Sequence, residues 1–316
     1  MYLESSIPLA PSGPRQDDDR DNQVATRQCI ACASPMAPRF RKFSTGHWRC
    51  PKCGLEEVYP QPDDTALAQI YNESYFSHYR QSADPLIVRR MKRATYSDHL
   101  RQLQKSPIRH GQRRLLDCGA ATGFLVELAK ESGWDAFAIE ISEFGSRSCA
   151  NFLGSERVYR GQVQDASFPA NTDCKFEAVT MFDFIEHVRD PRSVLDWTKQ
   201  RLTPGGTLLM TTPRAGGISS RLMGRQWFHY THEHLWYFSP RSILTLLERL
   251  GFKDITVRAA RKSISLEYAL AHFARATSYS NVFSPTARLL YKLLPKQLQR
   301  ACVWCYLGEM VVTARC

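Results

Sequence analysis

Apolar residues along this chain alternate between short continuous runs and faces at helical spacing, a rhythm that predicts an α/β fold. The run Leu115-Leu116 ends on Asp117 and breaks into Cys118-Gly119-Ala120-Ala121-Thr122-Gly123, a small-residue turn from which Phe124 opens a helix. Gly133 fits the end of that helix, and Trp134–Glu140 reads as a second strand closing on an acid. Residues 142–153 predict a helix, Arg157–Arg160 a short third strand, and Gly161–Asp165 a loop. Phe176–Asp183 reads as a buried strand, followed by a helix to Leu202 and a fifth strand over Leu202–Pro213. Ser239 caps an amphipathic helix that ends at Gly251, strand six follows, and Leu307–Arg315 supplies strand seven. Right-handed crossovers then give a mostly parallel sheet in the order 3-2-1-4-5-7-6, with helices on both faces.

Outside this core the pattern is helical or absent. Thr65–Tyr71 predicts a short helix, and Pro85 starts a longer one carrying Leu86, Val88, Met91, Tyr96, Leu100 and Leu103. Residues 262–304 read as helical and basic, with a leucine face that packs on the domain or lies on an anionic membrane surface. Cys302 and Cys305, at the end of that stretch, read as core thiols. Residues 1–27 are too polar to offset their ordering entropy, so a disordered tail is expected.

With 316 residues and 43% hydrophobic content, the chain suits one large domain plus a small appendage. No stretch approaches the roughly 20 apolar residues that cross a bilayer, and the N-terminus lacks the pattern of an export signal. A cytoplasmic address is the resulting expectation. The formal charge of +11 is concentrated over residues 80–114 and 258–300, which read either as solvated helix faces or as a surface for an anionic partner such as RNA.

Ten cysteines in such a chain point to metal before disulfides. Cys29-Ile-Ala-Cys32 and Cys50-Pro-Lys-Cys53-Gly54 are two knuckles separated by seventeen residues, the spacing of a zinc ribbon. Each turn presents two thiolates to one side of an ion, and four such ligands leave no open position, so Zn2+ here would be structural. His47 lies near enough to compete as a ligand, although the four cysteines make it unnecessary.

The turn after Asp117 has small residues at its first, third and fifth positions, whereas a dinucleotide fold wants them at the first, third and sixth, where Phe124 stands. With the preceding Asp117, it resembles motif I of the class I S-adenosylmethionine-dependent methyltransferases. The sequence Phe182-Asp-Phe-Ile-Glu-His187, followed by Asp190-Pro191, resembles the fourth-strand motif of their small-molecule members, including the ubiquinone-pathway O-methyltransferases. Pro204-Gly-Gly206 resembles the entry to their fifth strand, and the resemblance covers about residues 110–258 with the motifs in order.

The resemblance implies a Rossmann-like seven-stranded methyltransferase sheet, S-adenosyl-L-methionine as cofactor, and cofactor contacts at Asp117, Gly119, Ala121, Gly123, Phe182 and Asp183. It also implies that Asp165 meets the adenine amino group and that Tyr71 and Tyr75 close over the cofactor, with hydrophobic anchoring as the alternative for both tyrosines. Glu140, 21 residues beyond Gly119, occupies the position from which a carboxylate accepts ribose hydroxyls in nucleotide-binding sheets. The expected organisation is a tail over 1–27, a zinc-ribbon-like module over 28–60, a helical lead-in and cofactor lid over 61–110, and the methyltransferase domain over 111–316 with a helical insertion at about 262–304.

Methyl transfer requires an acceptor held in line and, for some acceptors, a base. His187 at the end of strand four, and His232 and His234 within the aromatic stretch Trp227–Phe238, are the candidates, each also readable as a hydrogen-bonded structural side chain. Metal binding by the histidines of that stretch is a further alternative. The expected acceptor is a small molecule, a glycan or a lipid-linked metabolite, methylated on oxygen or carbon. Cysteine-knuckle modules ahead of such domains also occur in deoxysugar C-methyltransferases, which the chain partly resembles, although their further C-terminal domain is not evident here. RNA methylation and a non-catalytic cofactor-binding module are the alternatives.

Overall fold

The computed structural model describes residues 27–63, 85–104, 113–168, 175–266, 268–269 and 293–316. Its elements begin with β1 (Ala37–Lys42), β2 (Thr45–Arg49) and β3 (Glu56–Tyr59), then α1 (Pro85–Gln104). The alternating core follows as β4 (Arg114–Cys118), α2 (Phe124–Glu131), β5 (Asp135–Glu140), α3 (Glu143–Leu153), β6 (Val158–Arg160), β7 (Phe176–Phe182), α4 (Pro191–Arg201) and β8 (Leu202–Pro213). After it come α5 (Ile218–Met223), β9 (Trp236–Tyr237), α6 (Pro240–Arg249), β10 (Lys253–Ser265) and β11 (Cys302–Arg315).

Seven strands form one sheet in the order β6-β5-β4-β7-β8-β11-β10, which is the expected 3-2-1-4-5-7-6. The first five are parallel, and β11 pairs antiparallel with both β8 and β10. β4 is flanked on both sides and its Leu115 and Leu116 are fully buried, which is why it reads as a continuous apolar run. α3 starts at Ser142, whose hydroxyl accepts the Gly145 amide, and α4 starts at Asp190, whose carboxylate accepts from Arg192 and Ser193 before Pro191 fixes the first turn. The carboxyl ends of β4, β5, β7 and β8 therefore converge on one edge, where α/β sheets bind ligands.

A second sheet, β1-β2-β3-β9, is antiparallel throughout. Its last strand comes from the segment between β8 and α6, so the cysteine hairpins are stitched into the larger fold. Cys29, Cys50 and Cys53 share a core with Trp236, Phe238, Ile243 and Leu247. The Ser239 hydroxyl, which caps α6, donates to the Cys53 carbonyl at 2.5 Å.

The stretch expected to be helical over 262–304 is partly strand. Lys262–Ser265 complete β10 and Cys302–Trp304 open β11, paired as Ser263 with Trp304 and Ile264 with Val303. Cross-strand pairing here overrides the local basic, leucine-rich character that suggested a helix. Cys302 and Cys305 consequently lie half-buried on a strand, not in the core. Tyr71, Tyr75, the tail over 1–26 and residues 270–292 lie outside the described residues. Among the described residues no helix is long and apolar enough to cross a membrane.

Candidate functional site

The turn after β4 is shaped by three residues in left-handed conformation, Gly119 (φ 76), Ala121 (φ 49) and Gly123 (φ 83). Gly119 is obligatory, because a Cβ there would sit 2.4 Å from the Phe184 ring, as well as being strained at that φ. Gly119 and Ala120 donate to the Ile139 carbonyl at 2.9 and 3.1 Å, which lays the turn across the end of β5. Glu140 then clasps it. One carboxylate oxygen accepts the Ala121 amide and the other the Ser142 amide, both at 2.8 Å. Each oxygen keeps a further lone pair, so the carboxylate that fixes the turn still has acceptor capacity for two hydroxyls.

Beside it, Ile141 is 56% exposed, an apolar side chain presented at the ligand edge of the sheet. Gly145 admits α3 to the turn, since a Cβ there would meet the Ala121 carbonyl at 2.6 Å and the Glu140 side chain at 2.7 Å. Neither residue stands out by sequence alone, because one isolated apolar and one helical glycine carry no periodic signal. Asp117 is buried under the turn and accepts the Thr180 hydroxyl at 2.7 Å; burial pushes its pKa up to about 7. Asp165 is exposed in a short 3-10 turn after β6, at the same edge. Phe182 turns its ring onto α1, stacking with Tyr96 at 5.6 Å and lying 5.1 Å from His99.

Beyond β7, the edge changes character. Asp183 (φ 50) accepts Lys262 at 2.7 Å and the Thr211 hydroxyl at 3.0 Å, and Lys262 also donates to Glu309 at 2.9 Å. This triad joins the end of β7 to β10 and β11, and its side chains are 42%, 25% and 7% exposed for Asp183, Lys262 and Glu309. Desolvation opposes the ionisation of Asp183, but Lys262 and the Thr211 hydroxyl outweigh it and hold the carboxyl below its usual range. For Glu309 burial prevails over Lys262 and lifts the pKa to about 7. Sequence reasoning missed Lys262 and Glu309, which are separated by the basic stretch and become neighbours only through the β10–β11 pairing.

The histidine candidates divide. His187 and His234 are brought together, ring centroids 4.6 Å apart, with Nδ1 of each bonded to a backbone carbonyl, Glu233 at 3.1 Å and His229 at 2.8 Å. Burial lowers both pKa values to about 3, so both rings are neutral near pH 7 and too weakly basic to be efficient proton acceptors there. Glu186 beside them is fully buried with neither carboxylate oxygen hydrogen-bonded, and desolvation raises its pKa well above the usual range. One ligand atom each from Glu186, His187 and His234 lies within 4.8 Å of the others. His232 is exposed and stacks on Phe43 at 3.8 Å, over the β1–β2 hairpin.

The four knuckle cysteines cluster, with Cys29 and Cys53 sulfurs 3.4 Å apart, Cys32 and Cys50 sulfurs 3.4 Å apart, and all four within 4.8 Å. Tetrahedral zinc at about 2.3 Å from each sulfur sets them roughly 3.8 Å apart, so the cluster fits that ion. The two knuckles repeat one backbone design. Ala33 and Gly54 donate to the Cys29 and Cys50 carbonyls, Cys29 and Cys50 donate to the Ser34 and Leu55 carbonyls, and Ala33 and Gly54 both have positive φ. His47 is not among them; it is buried between Phe40, Tyr230 and Tyr237.

Sheet order, glycine turn and acid-terminated second strand together define the fold of the class I S-adenosylmethionine-dependent methyltransferases. The methyltransferase domain family matches residues 87–257, more than half of the chain, and the protein belongs to that family. The ubiquinone biosynthesis O-methyltransferase of Idiomarina loihiensis is 24% identical over 156 residues, covering 46% of this chain and 63% of that protein. The tRNA U34 carboxymethyltransferase of the same organism is 26% identical over 151 residues, 46% of this chain and 47% of that protein. The chain thus spans less than two thirds of the length of these curated relatives. A solved methyltransferase from Archaeoglobus fulgidus superposes with a TM-score of 0.50 at 19% identity, over 78% of this chain and 100% of that one, a likeness of fold.

Proposed function

We propose that the protein transfers a methyl group from S-adenosylmethionine to a small-molecule acceptor. The observation that carries this is the Gly119–Gly123 turn clasped by Glu140, with acceptor capacity left on the carboxylate and Ile141 exposed beside it. Glu140 would accept the ribose hydroxyls, Ile141 would pack on the adenine ring and Asp165 would accept its amino group. Tyr71 and Tyr75 remain candidates for covering the cofactor. When bound, S-adenosylmethionine supplies a sulfonium-activated methyl group.

The acceptor half of the edge holds the nucleophile in line and handles its proton. Glu309, with a pKa near neutrality and Lys262 to stabilise its charged form, is better matched to that transfer than His187 or His234. Asp183 keeps Lys262 protonated. The buried His187–His234 pair would wall the acceptor pocket. Cys29, Cys32, Cys50 and Cys53 would hold a structural zinc, a reading supported by the thiol-only donor set and its spacing.

A glycan or a lipid-linked metabolite is the further acceptor considered at this edge. An RNA acceptor is favoured by the charge of +11 and by the name of the tRNA-modifying relative. Incubation with methyl-labelled S-adenosylmethionine and fractionated cell extract, with and without nuclease, tests these together. Label in a nuclease-resistant small-molecule fraction is the expected result; label lost to nuclease would transfer the assignment to RNA, and no label with any fraction would contradict methyl transfer.

A further inference from the structure

Between the cysteine knuckles and the end of β8 lies a cavity of about 370 Å³, within the roughly 300–1,000 Å³ typical of small-molecule sites. Its charged lining has one sign. Arg49 and Lys52 come from the knuckle side, Arg214 and Arg221 follow β8, Arg241 opens α6, and no carboxylate is among the described lining residues. Like charges gathered around a concavity repel one another unless an anion joins them, so the arrangement is poised for one.

Three further observations fix the sign and place. Arg49 reaches into the gap between two walls: a Cβ on Gly54 would lie 3.7 Å from its guanidinium nitrogen and one on Gly216 3.9 Å from the same atom. Its nearest acid is Glu56 at 3.9 Å, which is already engaged by Arg39 at 2.5 Å and by the Tyr230 hydroxyl at 2.7 Å. The Arg214 Nε is buried without a hydrogen-bond partner among the described residues, so no protein acceptor engages this lining guanidinium at that nitrogen. Third, the cavity is floored by Ser239, Pro240 and Arg241, the start of a ten-residue helix. Pro240 carries no amide hydrogen and the Ser239 hydroxyl already accepts the Ser242 amide at 3.0 Å, which leaves the Arg241 amide, at the positive end of the helix dipole, as the first-turn donor for a ligand.

Zinc bound by four thiolates would leave only two surplus negative charges, fewer than the five cations. Arg214 immediately follows Pro213, the last residue of β8, so the cavity adjoins the edge that carries Asp183 and Glu309. We propose that this cavity binds the diphosphate group of a small-molecule acceptor, with the cysteine module serving as one wall of the acceptor site. This rests on the reading of that edge as the acceptor half. The charge pattern selects a doubly or more highly charged phosphate, and the size excludes a folded nucleic acid from the cavity itself.

Calorimetric titration of the intact protein with sodium pyrophosphate at constant ionic strength tests it, with S-adenosylmethionine titrated separately. One pyrophosphate per chain is expected, weakened about five- to tenfold by Arg214→Gln or Arg241→Gln. The exposed Lys52→Gln, which leaves packing untouched, should weaken it about two- to fivefold, and Arg147→Gln on the remote face of α3 should not. Uridine diphosphate binding more tightly than pyrophosphate identifies a nucleotide-borne group, and equal binding identifies the diphosphate alone; both support the site. Unchanged affinity in the cavity variants, or an equal loss in Arg147→Gln, overturns it. So does a short single-stranded RNA whose binding alone, and not that of pyrophosphate, depends on these arginines. Cofactor binding without pyrophosphate binding would sink this proposal while leaving methyl transfer standing, and the reverse pattern would sink methyl transfer alone.

Discussion

The two halves of the ligand edge are built on different plans. The proposed cofactor half joins residues close in sequence, with the Gly119–Gly123 turn, Glu140 and Ser142 bonded through backbone amides. The proposed acceptor half joins Asp183, Lys262 and Glu309, and the adjoining cavity joins Arg49, Arg214 and Arg241. Backbone amides hold the Glu140 carboxylate in fixed geometry, whereas side chains gathered from several elements can be exchanged one at a time. The first half is thus suited to a constant ligand, the second to one that can vary.

Four substitutions or conditions separate the halves. The largest effect is expected from Gly119→Val, which drives a branched side chain into Phe184 at a left-handed φ. Cofactor affinity should fall by about two to three powers of ten, roughly 3–4 kcal/mol, while pyrophosphate binding is retained. Loss of both ligands together would show that the halves are one unit. Lys262→Met comes next, because it removes the ammonium held between Asp183 and Glu309. A loss of about 2–3 kcal/mol is expected, below the 3–5 typical of a fully buried pair because Asp183 is open to solvent. Urea unfolding measures it, and adding Glu309→Gln should restore part of the loss.

Each half also holds one carboxyl lifted to about 7, Asp117 and Glu309. A raised folded-state pKa means that the folded protein binds more protons between the unfolded value and pH 7. Stability is therefore greatest below about pH 4 to 4.5 for these groups and declines as pH rises through 7, by up to about 3–4 kcal/mol for each. Asp117→Asn and Glu309→Gln should each flatten that decline. If Glu309 takes the acceptor proton, methyl transfer should rise near pH 7 and only Glu309→Gln should remove that rise; an unchanged pH profile in that variant would take Glu309 out of proton handling. The smallest effect belongs to His232→Ala, which loses one exposed stack on Phe43. It should cost about 0.5–1 kcal/mol of stability and leave turnover unchanged.

The difference between the halves also explains what the sequence made legible. Asp117, Gly119, Gly123 and Glu140 are visible because one strand, one turn and the next strand impose a fixed spacing, and the sheet order follows from the same alternation. Lys262 was hidden among basic residues that suggested a helix, and its partner Glu309 is brought to it by a hairpin whose pairing no local pattern encodes. The cysteine spacing predicted the cluster, but not that Trp236–Tyr237 would extend its sheet and that Ser239 would bind the Cys53 carbonyl. His187 and His234 drew notice as titratable groups; burial makes them poor bases.

The central claim is that Glu140 fixes the cofactor turn and accepts the ribose. Calorimetric titration of S-adenosylmethionine into the parent protein and Glu140→Ala tests both parts, since the change removes an acceptor from the ligand and from the Ala121 and Ser142 amides. The parent should bind one cofactor per chain, and Glu140→Ala should bind it about ten- to a hundredfold more weakly, matching roughly 1.5–3 kcal/mol for charge-assisted hydrogen bonds. Equal affinity in the two proteins, or no binding by the parent, would contradict the account.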